Sequence, residues 1–144
     1  MKQETLNLLL LILVTVPVTI IDLRYKKIPD VITYPGIILL LIVKTAVYRV
    51  PIFNSSILLV AGFVPFFLIW YFTKGKMGLG DAKLSAFLCL VLGLEGWFLM
   101  VFISSSTALV FALYMLWRKK IDRNARIPYG PFLSLGALVS AFIL

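Results

Sequence analysis

Two aspartates stand apart in this chain. Asp22 lies in Ile21-Asp22-Leu23-Arg24-Tyr25-Lys26-Lys27-Ile28-Pro29-Asp30, and Asp81 in Lys76-Met77-Gly78-Leu79-Gly80-Asp81-Ala82-Lys83. Only 6 of the 144 residues are acidic, and 62% are hydrophobic. A carboxylate at the edge of an apolar span is costly to place, so it marks a functional site by default. Two carboxylates held close cannot both ionise easily and come to share a proton. Such a pair can hydrolyse an amide. The ionised member takes a proton from water, and the protonated member polarises the scissile carbonyl and later protonates the amine.

Composition removes the rival chemistries. The chain has no histidine and one cysteine, Cys89, inside an apolar run. That excludes Ser-His-Asp and Cys-His nucleophile systems, the usual zinc sites and internal disulfides. Cys89 reads as a small packing residue. The formal charge is +8, but the basic residues lie in loops between apolar spans, as in membrane topology rather than a nucleic-acid groove.

The remaining carboxylates are poor partners for Asp81. Glu4 and Glu95 fall toward the outer side, Asp122 sits in a strongly basic loop, and Asp30 suits a helix cap after Pro29. Asp22 is therefore the partner of Asp81 partly by elimination. Both have plainer readings too. Asp81, after a glycine, suits a helix N-cap, and Asp22 could end the first helix beside Arg24 or Lys26. Lys83 is two residues from Asp81 and so off its helix face; its plain reading is a snorkelling lysine.

Gly78 and Gly80 let the backbone bend and a substrate strand come close. In Ile127-Pro128-Tyr129-Gly130-Pro131-Phe132, two prolines around a glycine forbid a regular helix start. This motif is either a rigid turn into the last helix or a cavity wall whose backbone groups hold an extended peptide.

Six apolar segments must position these residues, over 5–21, 31–47, 56–72, 77–94, 97–117 and 128–144. Most are near the ~20 residues that span a bilayer. The expected fold is all-α, a polytopic membrane bundle of about six transmembrane helices in one domain over 1–144. The first segment runs into Asp22 and a basic cluster without a small-x-small cleavage site, so it reads as a retained helix. Eleven of the 14 Lys and Arg residues fall in loops on one side, which the positive-inside rule makes cytoplasmic, with both termini outside. From Leu84 to the expected outer turn at Gly93-Leu94-Glu95-Gly96, about eleven helical residues reach only ~16 Å against a ~30 Å core. The Gly-Leu-Gly-Asp turn is thus expected within the depth of the membrane, where irregular backbone needs protein or a water-filled cavity around it.

Three blocks resemble the type IV prepilin peptidases, a family of intramembrane aspartic peptidases that includes the archaeal preflagellin peptidases. They are Asp22 followed by Ile28-Pro29-Asp30, Gly78-Leu79-Gly80-Asp81 with Lys83, and Ile127-Pro128-Tyr129-Gly130-Pro131-Phe132. The resemblance implies an endopeptidase that cuts the short basic leader from prepilin-like, pseudopilin or preflagellin-like proteins, commonly just after a glycine, at the cytoplasmic face of the plasma (inner) membrane. Asp22 and Asp81 match the family's two catalytic aspartates. Gly78, Gly80, Lys83, Pro128, Tyr129 and Gly130 are the expected substrate-binding residues. No cofactor or metal is expected. The implied partners are the pilin-like substrate and the lipid bilayer, with no nucleic acid; a homo-oligomer stays open.

Many bacterial members carry a large cytoplasmic insert near the N-terminus, often with paired cysteines, and also methylate the new N-terminus. Here the first helix runs almost directly into the Asp22 block and no paired cysteines exist. The expectation is a peptidase-only form without a methyltransferase domain. The rival readings are a small proton- or cation-coupled carrier, against which no internal repeat is visible, and a non-catalytic pilus-assembly membrane protein, against which the intact aspartates speak.

Overall fold

In lipid, apolar runs of this length satisfy their backbone polar groups only as helices or closed barrels, and here they form helices. A computed structural model of the chain describes residues 3–26, 28, 30–75, 78–119 and 129–143. Pro128 and Asp122 lie outside the described residues. The elements are α1 (Gln3–Tyr25), α2 (Asp30–Ile42) running on as a π-helical turn (Val43–Val47), α3 (Ile52–Phe72), α4 (Leu79–Trp117) and α5 (Gly130–Ile143). Among the described residues there is no strand. Four helices, Glu4–Tyr25, Asp30–Val47, Ile52–Phe72 and Leu79–Trp117, are long and apolar enough to cross a membrane, and α5 is a shorter apolar helix.

The turn expected over Gly93 to Gly96 shrinks to one residue. Gly93 has φ 77 and ψ 176 inside α4, a region essentially open to glycine alone. A Cβ there would meet no atom within 4 Å, so the demand for glycine is conformational rather than steric. Across this break the Trp97 indole N–H donates to Ser85 Oγ at 2.8 Å, 12 residues away in sequence. In a straight helix those residues would stand about 18 Å apart. The chain therefore turns back at Gly93 into two arms, α4a (79–92) and α4b (94–117). The fourth and fifth expected segments are these arms, joined by a single residue.

Arm α4a is the centre of the bundle. Asp81, Ala82 and every residue from Leu84 to Val91 are buried. A helix apolar and buried all round must be enclosed by its neighbours. Its tightest neighbour is α3, where a Cβ on Gly62 would lie 2.5 Å from Cys89 Cβ and 2.8 Å from the Ser85 carbonyl oxygen. Close helix approach through small residues is how membrane helices gain packing contacts. Gly62→Ala is expected to destabilise the bundle by about 3 kcal/mol, the upper part of the overpacking range. Unfolding by denaturing detergent measures this, and an unshifted midpoint would contradict the packing.

Helix α1 shows why hydropathy alone does not orient such a protein. Leu11, Val14, Val18 and Asp22 are buried, while Leu9, Leu13, Val16 and Ile20 are exposed. Both faces are apolar, but only one packs on protein. The inward positions recur at helical spacing, and that register carries Asp22 inside.

The Gly93 end is secured by polar contacts. Ser140 of α5 donates to the Gly96 carbonyl at 2.7 Å. Lys44 is buried and donates to the Leu90 carbonyl. Carbonyls in the last turn of a helix lack intrahelical partners, and the break at Gly93 places Leu90 in that turn. A cation there also meets the negative end of the helix dipole.

Candidate active site

Asp22 lies three residues before the end of α1 and is 3% exposed. Its Oδ2 accepts the backbone N–H of Gly130 at 2.8 Å, a contact spanning 108 residues. Gly130 is the first residue of α5, and the first N–H groups of any helix lack intrahelical partners. The Asp22 carboxylate thus serves one of them from a different helix. The approach needs a glycine, because a Cβ on residue 130 would lie 2.5 Å from Oδ2 and 3.1 Å from Cγ.

Asp81 also sits at a helix start, within the first turn of α4, and is 7% exposed. The N-cap is Gly78, in extended backbone, and the Asp81 N–H donates to the Gly78 carbonyl at 3.2 Å. The helix therefore opens at Leu79, three residues earlier than a capping role for Asp81 requires. Gly80 faces the α1–α2 connection, where its Cβ would stand 2.9 Å from Ile28 Cβ.

Lys83 bonds Asp30 Oδ1 at 3.0 Å and lies 4.9 Å from the centre of the Tyr34 ring. These contacts tie the start of α2 to the first turns of α4a. Asp30 is the first residue of α2, so the residue read as a cap also holds Lys83.

Tyr129 immediately precedes α5. Its carbonyl accepts the N–H groups of Phe132 and Leu133, each at 3.1 Å. Its hydroxyl lies 3.2 Å from Ser104 Oγ and 3.1 Å from Ser105 Oγ, both on α4b. Its ring packs near Phe66 of α3 and Phe132 of α5. Sequence reasoning missed Ser104 and Ser105, although Ser104-Ser105-Ser106 is a hydroxyl run inside an apolar segment. It also missed Ile28, which carries no chemical signal.

Contacts place these residues at one end of the bundle. Ile28 and Asp30 lie on the first turn of α4a, and α5 begins on Asp22. Exposed Arg24, in the last turn of α1, and Lys26, Lys74, Arg118 and Lys119, just beyond helix ends, lie on this side. Among the described residues, no group of three His, Cys, Asp or Glu is placed to hold a metal. The arrangement can present two buried carboxylates, each at a helix N-terminus, to a polypeptide at the edge of an apolar bundle.

These features define a polytopic α-helical membrane protein organised around two buried aspartates. Comparison with known families matches residues 8–113 to the type IV leader peptidase family. That stretch contains both aspartates. The chain belongs to the type IV leader peptidase family.

Similar proteins include the prepilin leader peptidase/N-methyltransferase of Xanthomonas campestris pv. campestris, 35% identical over 127 residues, covering 85% of this chain and 44% of that protein. The protein of the same name from Aeromonas salmonicida is 30% identical over 141 residues, covering 94% of this chain and 48% of the relative. That of Neisseria gonorrhoeae is 31% identical over 140 residues, with coverage of 94% and 48%. The chain spans about half the length of these relatives. No solved structure matches it.

Proposed function

We propose that this chain is an intramembrane aspartic endopeptidase that removes the short basic leader of type IV prepilin-like proteins. The observation that carries the reading is the placement of two buried aspartates at one end of the bundle, Asp22 near the end of α1 against the start of α5 and Asp81 in the first turn of α4. Membership of the leader peptidase family supports it. The relatives' names also include an N-methyltransferase; the proposal takes only the leader peptidase part, because paired carboxylates are suited to amide hydrolysis.

In the reaction, the two aspartates share one proton. The ionised carboxylate takes a proton from a water molecule, whose oxygen attacks the scissile carbonyl carbon. The protonated carboxyl donates to the carbonyl oxygen as negative charge develops there. As the tetrahedral intermediate collapses, the C–N bond breaks and the departing amine receives the proton. Gly78 opens α4 with extended backbone ahead of Asp81, and Gly80 lets Ile28 of the α1–α2 connection pack close beside it. Lys83 ties the start of α2 to α4a through Asp30 and Tyr34. Gly130 holds Asp22 from the start of α5, with Tyr129 directly before it.

The active end faces the cytoplasm of a plasma membrane, by the placement of Arg24, Lys26, Lys74, Arg118 and Lys119. A substrate's cytoplasmic leader then meets its membrane helix at the depth of the aspartates. Co-expression with a pilin-like protein bearing a basic leader, a glycine and an apolar helix tests both points. The substrate is expected to shorten on a gel by the leader's mass, and a cysteine at Lys119 is expected to resist labelling from outside intact cells. An uncut substrate with the enzyme present would overturn the activity, and strong external labelling would overturn the orientation.

A further inference from the structure

Tyr129 lies next to Gly130, whose N–H bonds Asp22 from α5, yet its hydroxyl points into α4b. The direction of each bond there follows from counting hydrogens. A serine hydroxyl has one hydrogen to give. Ser104 Oγ lies 3.1 Å from the Val101 carbonyl oxygen, which can only accept. With the Ser104 hydrogen used there, the contact with Tyr129 runs from the phenol to Ser104. The phenol hydrogen is then used too, so Ser105 donates to the phenol oxygen. The result is a chain from Ser105 through Tyr129 and Ser104 to Val101 in which every hydrogen has an acceptor. At an apolar depth with little water to substitute, breaking such a chain is costly.

We propose that this hydroxyl chain makes Tyr129 a positioning residue for Asp22. Tyr129 is pinned through its side chain to α4b and through its carbonyl to the first turn of α5. Its own C-terminal peptide bond carries the Gly130 N–H that holds Asp22 Oδ2. Fixing both ends of Tyr129 therefore fixes that donor, and the donor fixes the direction of the carboxylate. Ser104 is fully buried and Phe66 flanks the ring, so the Ser104 half of the anchor is held by protein, while Ser105 is exposed. Asp22 reaches this anchor through Gly130, with no substrate contact required. The inference rests on the peptidase reading only for its kinetic consequence.

Two measurements on the full chain in detergent test it, one of them independent of any substrate. With glycine nitrogens labelled, the amide hydrogen exchange of Gly130 reports the bond to Asp22. Tyr129→Phe is expected to speed that exchange about tenfold while the Trp97 indole signal, at the Gly93 end, stays in place. Asp22→Ala serves as the positive control. With a prepilin-like substrate that the wild type cuts, Tyr129→Phe is expected to lower kcat about tenfold and leave KM within about twofold, the loss expected when a reacting group drifts from its working position. Ser104→Ala combined with Ser105→Ala is expected to give the same kcat loss, and adding Tyr129→Phe to that pair should change nothing further.

Unchanged Gly130 exchange overturns the proposal, whatever the enzyme cleaves. So does a raised KM with intact kcat, which would place Tyr129 on the substrate. Multiplying losses from the serine and tyrosine changes would show that the hydroxyls act separately, and would overturn it too. A wild type that cuts nothing would sink the peptidase reading and leave the exchange result standing.

Discussion

Asp22→Asn and Asp81→Asn are each expected to reduce leader cleavage by about 10³-fold or more, the loss typical of residues that act as one catalytic unit. The substitution is close to isosteric. An asparagine at position 22 keeps a carbonyl oxygen that can still accept the Gly130 N–H, so α5 keeps its partner. An amide can neither take a proton from water at neutral pH nor share one with its neighbour. Chemistry and folding are therefore separable in these variants, and both proteins should accumulate in the membrane at the wild-type level. Asp30→Asn is the control. Its side chain is 55% exposed in the pair with Lys83, and an exposed pair contributes little, typically under ~1 kcal/mol. Cleavage by Asp30→Asn should stay within a few-fold of wild type. Normal cleavage by either Asp22→Asn or Asp81→Asn would refute the two-carboxylate mechanism.

The second large effect belongs to a residue with no functional group. Gly130→Ala puts a methyl group 2.5 Å from Asp22 Oδ2, well inside van der Waals contact. The carboxylate must swing away or α5 must retreat, and in either case the 2.8 Å bond from the Gly130 N–H is lost. A displacement of about 1 Å at a reacting group can cost 10²-fold, so kcat is expected to fall about 100-fold. The bundle should survive, since the lost charge-assisted bond is worth about 1.5–3 kcal/mol. Single-turnover cleavage measured beside thermal unfolding separates the two effects. Loss of activity only in step with loss of folded protein would show that Gly130 matters for packing alone.

The legible part of the fold was the part that lipid dictates. Six segments follow from hydropathy, and the reversal near Gly93 from the turn residues Gly93-Leu94-Glu95-Gly96 between two of them. The carboxylates were legible because an apolar chain gives an acidic side chain few reasons to be present. What stayed hidden depends on backbone groups and on helix faces. The N–H of Gly130 and the carbonyl of Leu90 have no letter in a sequence, so neither the hold on Asp22 nor the burial of Lys44 could be read. The inward face of α1 was hidden because Leu9 and Leu11 look alike, although one faces out and the other is fully buried. The start of α4 shifted because Gly78 rather than Asp81 took the capping position. The tyrosine and serine chain needed α4b and α5 side by side, which no local pattern announces.

The link between residues 22 and 130 has a consequence in time. A ribosome delivers this chain from one end, and Asp22 enters the bilayer long before its α5 partner exists. Asp81 and the arm that carries it are also made before α5. Throughout synthesis both aspartates are thus present in a nascent protein whose first carboxylate still lacks the donor that orients it. By the positioning argument, cutting power arrives only with α5, after both aspartates have been made. A newborn copy in the crowded membrane near the translocon then stays harmless to neighbouring polypeptides until its own assembly is done.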